Sequence, residues 1–280
     1  PKQGQTLDEV KALLLAEVKK LCKGDFDEKI LQANINNFKL RQLRQLENND
    51  DRADWFVQSF VNGSSWADEV TTFNRISKLT KADIVAFADK YLKDNNLVVI
   101  YKRKGKDPNE KKIAKPVITP IIMNRDLVSP FLKEIQESKV SPIQPVFLDY
   151  NKDLAKLKAK SDIPVLYKQN TANDLFQLVY LFDRGNNNDK ALGTAADYLE
   201  YLGTSDMTPE QLKSEFYRLA CSFTVSPGSE RTYVVLSGLN ENMQAAMTLF
   251  EKLLSDAQVN KEAYANMVKD VLKSRKDAKL

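Results

Sequence analysis

Five prolines stand between residues 116 and 145, and they constrain the fold of this 280-residue chain more than any other feature. Proline fixes its own φ angle and lacks an amide hydrogen, so long helices and central strands do not continue through it. Residues 102–115, just before these prolines, carry seven basic and two acidic side chains. The pattern predicts an interdomain linker over residues 105–160, with folded segments at 1–104 and 161–280.

The composition excludes several classes of partner. The chain has 42 basic and 38 acidic residues, and this balance is too even for a nucleic-acid-binding surface. No apolar run approaches the roughly 18 residues that a membrane span needs. The nine glycines form no phosphate-binding loop. We therefore expect no nucleic-acid partner and no membrane span, and because the first residue is Pro1 we expect a piece of a longer protein.

Capping residues define the helices of the first segment. Thr6-x-x-Glu9 and Thr80-x-x-Asp83 predict helix starts, and Gly24 predicts the end of the first helix. Three more helices are expected between these two: one from Asp25 and Glu28 toward Leu46, one from Arg52 to Val61 that Gly63 stops, and one that starts at Ser65 and Trp66. The Thr80 helix should turn Ile84, Phe87, Ala88, Tyr91 and Leu92 inward, and the apolar run Leu97 to Tyr101 predicts a buried strand.

The second segment alternates strands and helices. Strands are predicted at residues 164–169 and 175–182, and a hairpin is predicted around the turn at residues 227–230. Thr208-x-x-Gln211, Asn240 and Asn260 predict the starts of three helices, and a short helix is expected near residues 129–137. In the Asn240 helix we expect Met243, Ala246, Met247, Phe250 and Leu254 to face inward. This order predicts an α+β fold in which helices pack on one face of the sheet.

One further helix is predicted within residues 193–204. Asp189 can cap its start and Gly203 can end it. Its apolar positions recur at steps of three and four, which is typical of a packed amphipathic helix; they are Ala195, Ala196, Leu199 and Leu202.

Three polar side chains on this helix share a face. Asp197, Glu200 and Tyr201 stand at positions i, i+3 and i+4, a spacing that a metal site on a helix would use. The alternative interpretation is that the two carboxylates are simply solvated and that Tyr201 is a half-buried aromatic.

The frame Asp197-Tyr198-Leu199-Glu200-Tyr201, followed by Gly203-Thr204 and a Thr208-Pro209 helix start, resembles the inverted zinc motif H-x-x-E-H of the insulinase and pitrilysin family of metallopeptidases. Only the glutamate matches, because Asp197 and Tyr201 stand where the family has histidine. The family's third ligand, a later glutamate, would fall near Ala278, where Asp277 is the nearest acid. The chain contains no histidine, and a catalytic zinc site uses about three protein ligands, so we predict no metal, no cofactor and no catalytic residue in this chain.

The first hundred residues also resemble this family in the order of their features. These are Gly24-Asp25-Phe26, Gly63, Trp66, the helix from Thr80 to Tyr91-Leu92 and the run from Leu97 to Tyr101. Members of the family contain two similar halves, one of which commonly lacks the metal. The resemblance implies that residues 1–104 are the C-terminal subdomain of the first half and that residues 161–280 are the N-terminal subdomain of a metal-free second half. The fold class would then be α+β, with parts of two similar two-layer units joined by a linker.

The sequence is compatible with three functions. The chain is a non-catalytic segment of a zinc peptidase, with zinc in the upstream half and a peptide or unfolded polypeptide as substrate. Alternatively, it belongs to a binding or scaffolding protein of the same fold, like the core subunits of respiratory complexes. In both cases its partners include the missing halves of the same protein or a homologous subunit. The third possibility is an unrelated helical α+β module.

Overall fold

The computed structural model describes residues 4–105, 113–121, 123–124 and 126–279. Its contacts divide the chain into two compact units: one comprises Pro1–Val98 and Asn170–Leu280, and the other comprises Val99–Gln169. The described residues form ten α-helices and two antiparallel sheets, so the α+β class predicted from the sequence is confirmed. No helix in these described ranges is long and apolar enough to cross a membrane.

The predicted caps place the helices of the first segment. Thr6 and Glu9 form a reciprocal capping box, and so do Thr80 and Asp83. Asn48 caps the third helix, which therefore begins three residues before the predicted Arg52. The helices are α1 (Leu7–Lys23), α2 (Glu28–Gln45), α3 (Asn49–Asn62), α4 (Trp66–Ile76) and α5 (Lys81–Tyr91).

Two predictions about the end of this segment are wrong. Ala88 of α5 is buried, but Phe87, Tyr91 and Leu92 are 42–59% exposed. Within the described residues, the run from Leu97 to Tyr101 forms no strand, and Val98 and Ile100 are more than 80% exposed. A strand needs a neighbour to pair its backbone groups, and no strand in the described ranges pairs with this run.

Among its described residues, the unit formed by Val99–Gln169 contains one α-helix and two strands, and a 3-10 turn at Lys160–Asp162 precedes the second strand. The helix is α6 (Pro130–Glu137), and the strands are β1 (Ala155–Lys158) and β2 (Pro164–Tyr167). The two strands pair antiparallel, with Ala155 opposite Tyr167. The helix starts at Pro130, with the Ser129 side chain accepting a hydrogen bond from the Leu132 amide at 3.1 Å. Serine before proline is thus a helix start here, as the sequence predicts.

The remaining elements form a sheet with helices on one face. They are β3 (Leu175–Phe182), α7 (Leu192–Leu199), α8 (Pro209–Arg218), β4 (Cys221–Pro227), β5 (Thr232–Leu239), α9 (Met243–Ser255) and α10 (Lys261–Asp277). The strand order is β3-β5-β4, so β5 is central and β4 lies at an edge. The predicted hairpin is confirmed, with Pro227 opposite Thr232.

Alternation along the strands directs apolar side chains toward the helices. Leu236 of β5 is fully buried and packs in one cluster with Phe216 of α8 and Phe250 and Leu253 of α9. On α9 the inward residue is Leu253 rather than the predicted Leu254, which is 49% exposed. A short 3-10 turn at Asn240–Asn242 precedes α9, so Asn240 does not cap the α-helix directly.

Helix α2 joins the first segment to this sheet through asparagine side chains. The amide of Asn37 donates to the carbonyl of Tyr217 at 2.6 Å, and that of Asn36 donates to the carbonyl of Arg218 at 3.1 Å. The Tyr217 hydroxyl donates to the side-chain oxygen of Asn34 at 2.8 Å. Asn36 thus pairs the carbonyl of Arg218 at the C-terminal end of α8, while the carbonyl of Tyr217 accepts from Asn37 in addition to the Ala220 amide at 3.0 Å. The assignment of the segments 1–104 and 161–280 to two halves of a longer protein stays a prediction.

Candidate functional site

The candidate site is built on α7 and the turn that follows it. The helix ends at Leu199, one turn before the predicted Gly203. The amides of Tyr201 and Leu202 bond to carbonyls three residues back, which tightens the last turn. Gly203 then forms a β-bridge with Gln258, whose amide donates to the Gly203 carbonyl at 3.0 Å. Pairing with Gln258 removes Gly203 from the helix, so the helical face is shorter than the sequence predicts.

The start of α7 also differs from the prediction. The helix begins after Ala191, and no side chain caps it. Asp189 instead accepts a hydrogen bond from the Ala191 amide at 2.9 Å, within the turn before the helix.

The three polar positions of the motif frame lie at the C-terminal end of α7. Asp197 is in the last turn, Glu200 is the residue that ends the helix, and Tyr201 follows it. All three are exposed, and the Lys213 ammonium group lies 5.6 Å from the centre of the Tyr201 ring. Asp277, the acid nearest to the family's third ligand position, lies in the last turn of α10.

The donor set does not fit a catalytic zinc ion. Across the part of the chain that the structure describes, no three His, Cys, Asp or Glu side chains lie close enough together to hold a metal. A catalytic zinc needs about three protein ligands, whereas the frame offers only Asp197 and Glu200 as acids. The exposed position of both carboxylates agrees with the alternative that they are solvated.

Tyr198, inside the same frame, has a structural role that the sequence analysis missed. Its hydroxyl donates to the Asn260 carbonyl at 2.6 Å and accepts from the Asn260 amide at 2.8 Å. Its ring meets Tyr264 edge to face, with 5.3 Å between the ring centres. Asn260 is the capping residue of α10, so Tyr198 fixes α7 against the start of α10. Asn260 lies 62 residues away in sequence, so no local pattern around Tyr198 signals this contact.

A cavity of about 370 Å³ opens beside Glu200. Its walls come from α2, the end of α7, α8, β4 and α9, and most of the lining side chains are apolar. The lining residues are Asn37, Leu40, Arg44, Leu199, Glu200, Leu202, Pro209, Leu212, Lys213, Phe216, Tyr217, Cys221, Ser222, Phe223 and Leu253. Small-ligand sites have volumes of about 300 to 1,000 Å³, so this cavity lies at the small end of that range.

Cys221 is the only cysteine among the lining residues of this cavity. It is buried and its thiol is free, as is that of the partly exposed Cys22. Burial raises the pKa of the Cys221 thiol to about 11. The thiol is therefore protonated at neutral pH and is a poor nucleophile.

A charged network fixes the loop between α7 and α8. Asp206 accepts from Lys252 of α9 and, at 2.7 Å, from the Thr204 hydroxyl. Asp256 accepts from the amide of Ser205 at 2.9 Å and from its hydroxyl at 2.6 Å. The bond from Lys252 lowers the pKa of Asp206, and the bonds from Ser205 lower the pKa of Asp256. The loop that follows the motif frame is thus held to the end of α9.

No protein-family model matches this chain, and no curated protein matches it. The solved structures that are similar to it include three proteases. A protease from Helicobacter pylori has 12% identity and a TM-score of 0.38, over 44% of this chain and 30% of that one. The periplasmic protease PqqL from Escherichia coli has 12% identity and a TM-score of 0.40, over 94% of this chain and 32% of that one. A mutant of the ferredoxin protease FusC, in complex with Arabidopsis ferredoxin, has 10% identity and a TM-score of 0.39, over 90% of this chain and 31% of that one. This chain spans about a third of the length of each.

Proposed function

We propose that this chain is a non-catalytic segment of an insulinase/pitrilysin-type zinc peptidase and that residues 161–280 begin its metal-free half. The observation that carries the proposal is the motif frame on α7. Its glutamate, Glu200, stands where the family's motif has glutamate, but Asp197 and Tyr201 replace both histidines. Gly203-Thr204 and the capped helix α8 follow in the family's order.

In this proposal the catalytic zinc is bound by the upstream half of the protein. This chain supplies a wall of the chamber in which a peptide or unfolded polypeptide is held. Closing the two halves would exclude water from the bound peptide and complete the active site. The contribution of this chain is therefore to turnover and not to metal binding.

The edge strand β4 is the surface that we assign to the chamber wall. Within the described residues β4 pairs with a single strand, β5, so the backbone groups along its other edge have no strand partner. An extended peptide can bond to such an edge through its main chain, which gives affinity with little sequence preference. The cavity beside Glu200 is lined by Cys221, Ser222 and Phe223 of the same strand.

The test uses the full-length protein that contains this chain. Two variants, Tyr201→Ala and Thr224→Pro, are compared with the parent in zinc content and in hydrolysis of a fluorogenic peptide. Proline at position 224 removes an amide hydrogen from the edge strand. We expect slower hydrolysis with unchanged zinc in both variants, and parent rates in a control substitution, Tyr150→Ala, in the other compact unit.

Two outcomes would contradict the proposal. If both variants stay folded and hydrolyse the peptide at the parent rate, the motif face and the edge strand have no part in turnover. If the full-length parent protein holds no zinc and hydrolyses no peptide, the scaffolding alternative is favoured instead.

A further inference from the structure

The cavity beside Glu200 penetrates to the hydrophobic core of the sheet domain. Leu212, Phe216 and Leu253 line it, and each is at most 6% exposed. Leu40 of α2 contributes the facing wall and is also buried. An apolar group that enters this space leaves water and contacts side chains that the fold already holds in place.

Positive charge dominates the polar part of the lining. Arg44 and Lys213 carry positive charges, and Glu200 carries the single negative charge. The guanidinium of Arg44 is held by a bond from Nη2 to the Ser237 hydroxyl at 3.2 Å. Ser237 pairs with Ser222, which itself lines the cavity, so this bond holds the guanidinium beside the cavity. Its remaining N–H groups can donate to a carboxylate in the two-pronged geometry that arginine favours.

Asn37 and Cys221, the polar neighbours of Arg44 in the lining, are not available to bind an anion. Both amide hydrogens of Asn37 are donated to backbone carbonyls, one to Ala33 at 2.8 Å and one to Tyr217 at 2.6 Å. The Cys221 thiol is buried in the wall and uncharged at neutral pH. Arg44 and Lys213 are therefore the cationic side chains of the lining that can bind an anion.

From this combination we infer that the cavity binds an apolar chain that ends in a carboxylate, with the chain among the leucine and phenylalanine side chains and the carboxylate at Arg44. Two sources supply this chemistry: a free alkyl carboxylate, and the apolar C-terminal residue of a peptide. A neutral ligand would leave the guanidinium without an anion, and a cationic ligand would meet two like charges.

The first experiment measures binding of decanoate and of 1-decanol to the 280-residue chain by isothermal titration calorimetry. We expect decanoate to bind at least about tenfold more tightly, because only the carboxylate forms a charge-assisted hydrogen bond. Equal affinity for the two compounds, or no binding of decanoate, would overturn the inference.

Matched variants identify the site. Arg44→Met keeps an unbranched apolar stem and removes the charge, and we expect it to weaken decanoate binding about tenfold while 1-decanol binding stays unchanged. Ser237→Ala keeps the charge of Arg44 but removes the bond that holds its guanidinium beside the cavity, so it should weaken decanoate binding, though less than Arg44→Met does. Leu199→Trp fills the cavity and should abolish binding even where Arg44 is intact. Parent-like binding in both Arg44→Met and Leu199→Trp, each shown to be folded by circular dichroism, would exclude this cavity.

The peptide Gly-Gly-Leu, with a free carboxylate or with a C-terminal amide, distinguishes the two sources. Binding of the free acid, but not of the amide, assigns the site to peptide C-termini, whereas binding of decanoate alone assigns it to free alkyl carboxylates. No peptide is hydrolysed in these measurements, so their outcome is independent of the peptidase proposal.

Discussion

Gly24 and Gly63 end their helices in the same left-handed conformation, but the space around them differs. Gly24 has φ of 71° and Gly63 has φ of 66°. A Cβ atom at Gly24 would lie 3.2 Å from Cγ2 of Val85 and 3.4 Å from Cε of Lys81, whereas a Cβ at Gly63 would meet no atom within 4 Å. Alanine substitutions at these two positions therefore separate two costs in free energy: that of a left-handed backbone at an L-residue, and that of steric overlap with neighbouring atoms.

We predict that Gly63→Ala lowers the free energy of unfolding by about 1 to 2 kcal/mol, the cost of placing an L-residue in the left-handed region. Gly24→Ala should lower the free energy of unfolding further, because Val85 on α5 must also move to make room for the new Cβ atom. Urea denaturation of the two variants measures the difference. A smaller loss in Gly24→Ala than in Gly63→Ala would show that α1 and α5 pack more loosely than the contact at Val85 indicates.

For single elements, local chemistry predicts a helix boundary when the residues that form it lie within one turn of each other. Thr208 and Gln211 form the predicted capping box of α8, since both partners lie within one turn of the chain. The end of α7 was predicted at Gly203, but Gly203 pairs with Gln258, which is distant in sequence. A contact of this kind has no local sequence signal. The sequence therefore predicts Glu200 and Tyr201 on the face of a helix, whereas α7 ends at Leu199, just before them.

The link between the loop after α7 and the end of α9 should depend on pH. The bond from Lys252 holds the pKa of Asp206 below its ordinary value, which is about 4. A lowered pKa in the folded state stabilises the fold above the ordinary pKa, and this stabilisation is lost as the pH falls through the folded-state value. We predict that Lys252→Met raises the pKa of Asp206 but changes that of Asp256 much less, since Ser205 is the main partner of Asp256.

Carboxyl NMR titration measures both pKa values. The difference in unfolding free energy between Lys252→Met and the parent should be present at pH 7 and should shrink below about pH 4. Lys269→Met, a substitution on the exposed surface of α10, serves as the control for loss of a positive charge. An unchanged Asp206 pKa, or a difference that is the same at pH 3 and pH 7, would contradict this account.

At the scale of the whole molecule, the sequence predicts the α+β class and the hairpin but misses contacts between distant segments. The apolar run from Leu97 to Tyr101 has the composition of a strand, yet pairing decides whether a strand forms, and composition does not report pairing. Asn34, Asn36 and Asn37 give α2 a polar stripe that resembles a solvated face. In the fold this stripe bonds to α8, more than 180 residues away in sequence for Asn34 and Asn36.

The proline-bearing stretch should be the site of first proteolytic cleavage. The described residues between 113 and 128 and between 139 and 148 form no helix or strand, so their backbone can enter a protease active site without local unfolding. We predict that brief digestion with subtilisin, mapped by mass spectrometry, cuts within residues 102–160. First cleavage inside α5 would contradict the predicted division of the chain.

The proposed function assigns the motif frame at the end of α7 to a metal-free half of a zinc peptidase. The frame keeps Glu200, lacks both histidines and lies beside a network that fixes its loop through Asp206 and Asp256. Under the proposed function, this half would contribute a fixed loop to substrate enclosure and no metal ligand.

Zinc content, measured by mass spectrometry of the purified chain and of the full-length protein, distinguishes a metal-free half from a metal-binding one. We expect about one zinc per full-length molecule and substoichiometric zinc in the 280-residue chain, since catalytic zinc needs about three protein ligands. Glu200→Gln should leave both values unchanged. A tight one-to-one zinc in the 280-residue chain that is lost on replacing Asp197 or Glu200 would show that this segment is a metal site and not a metal-free half.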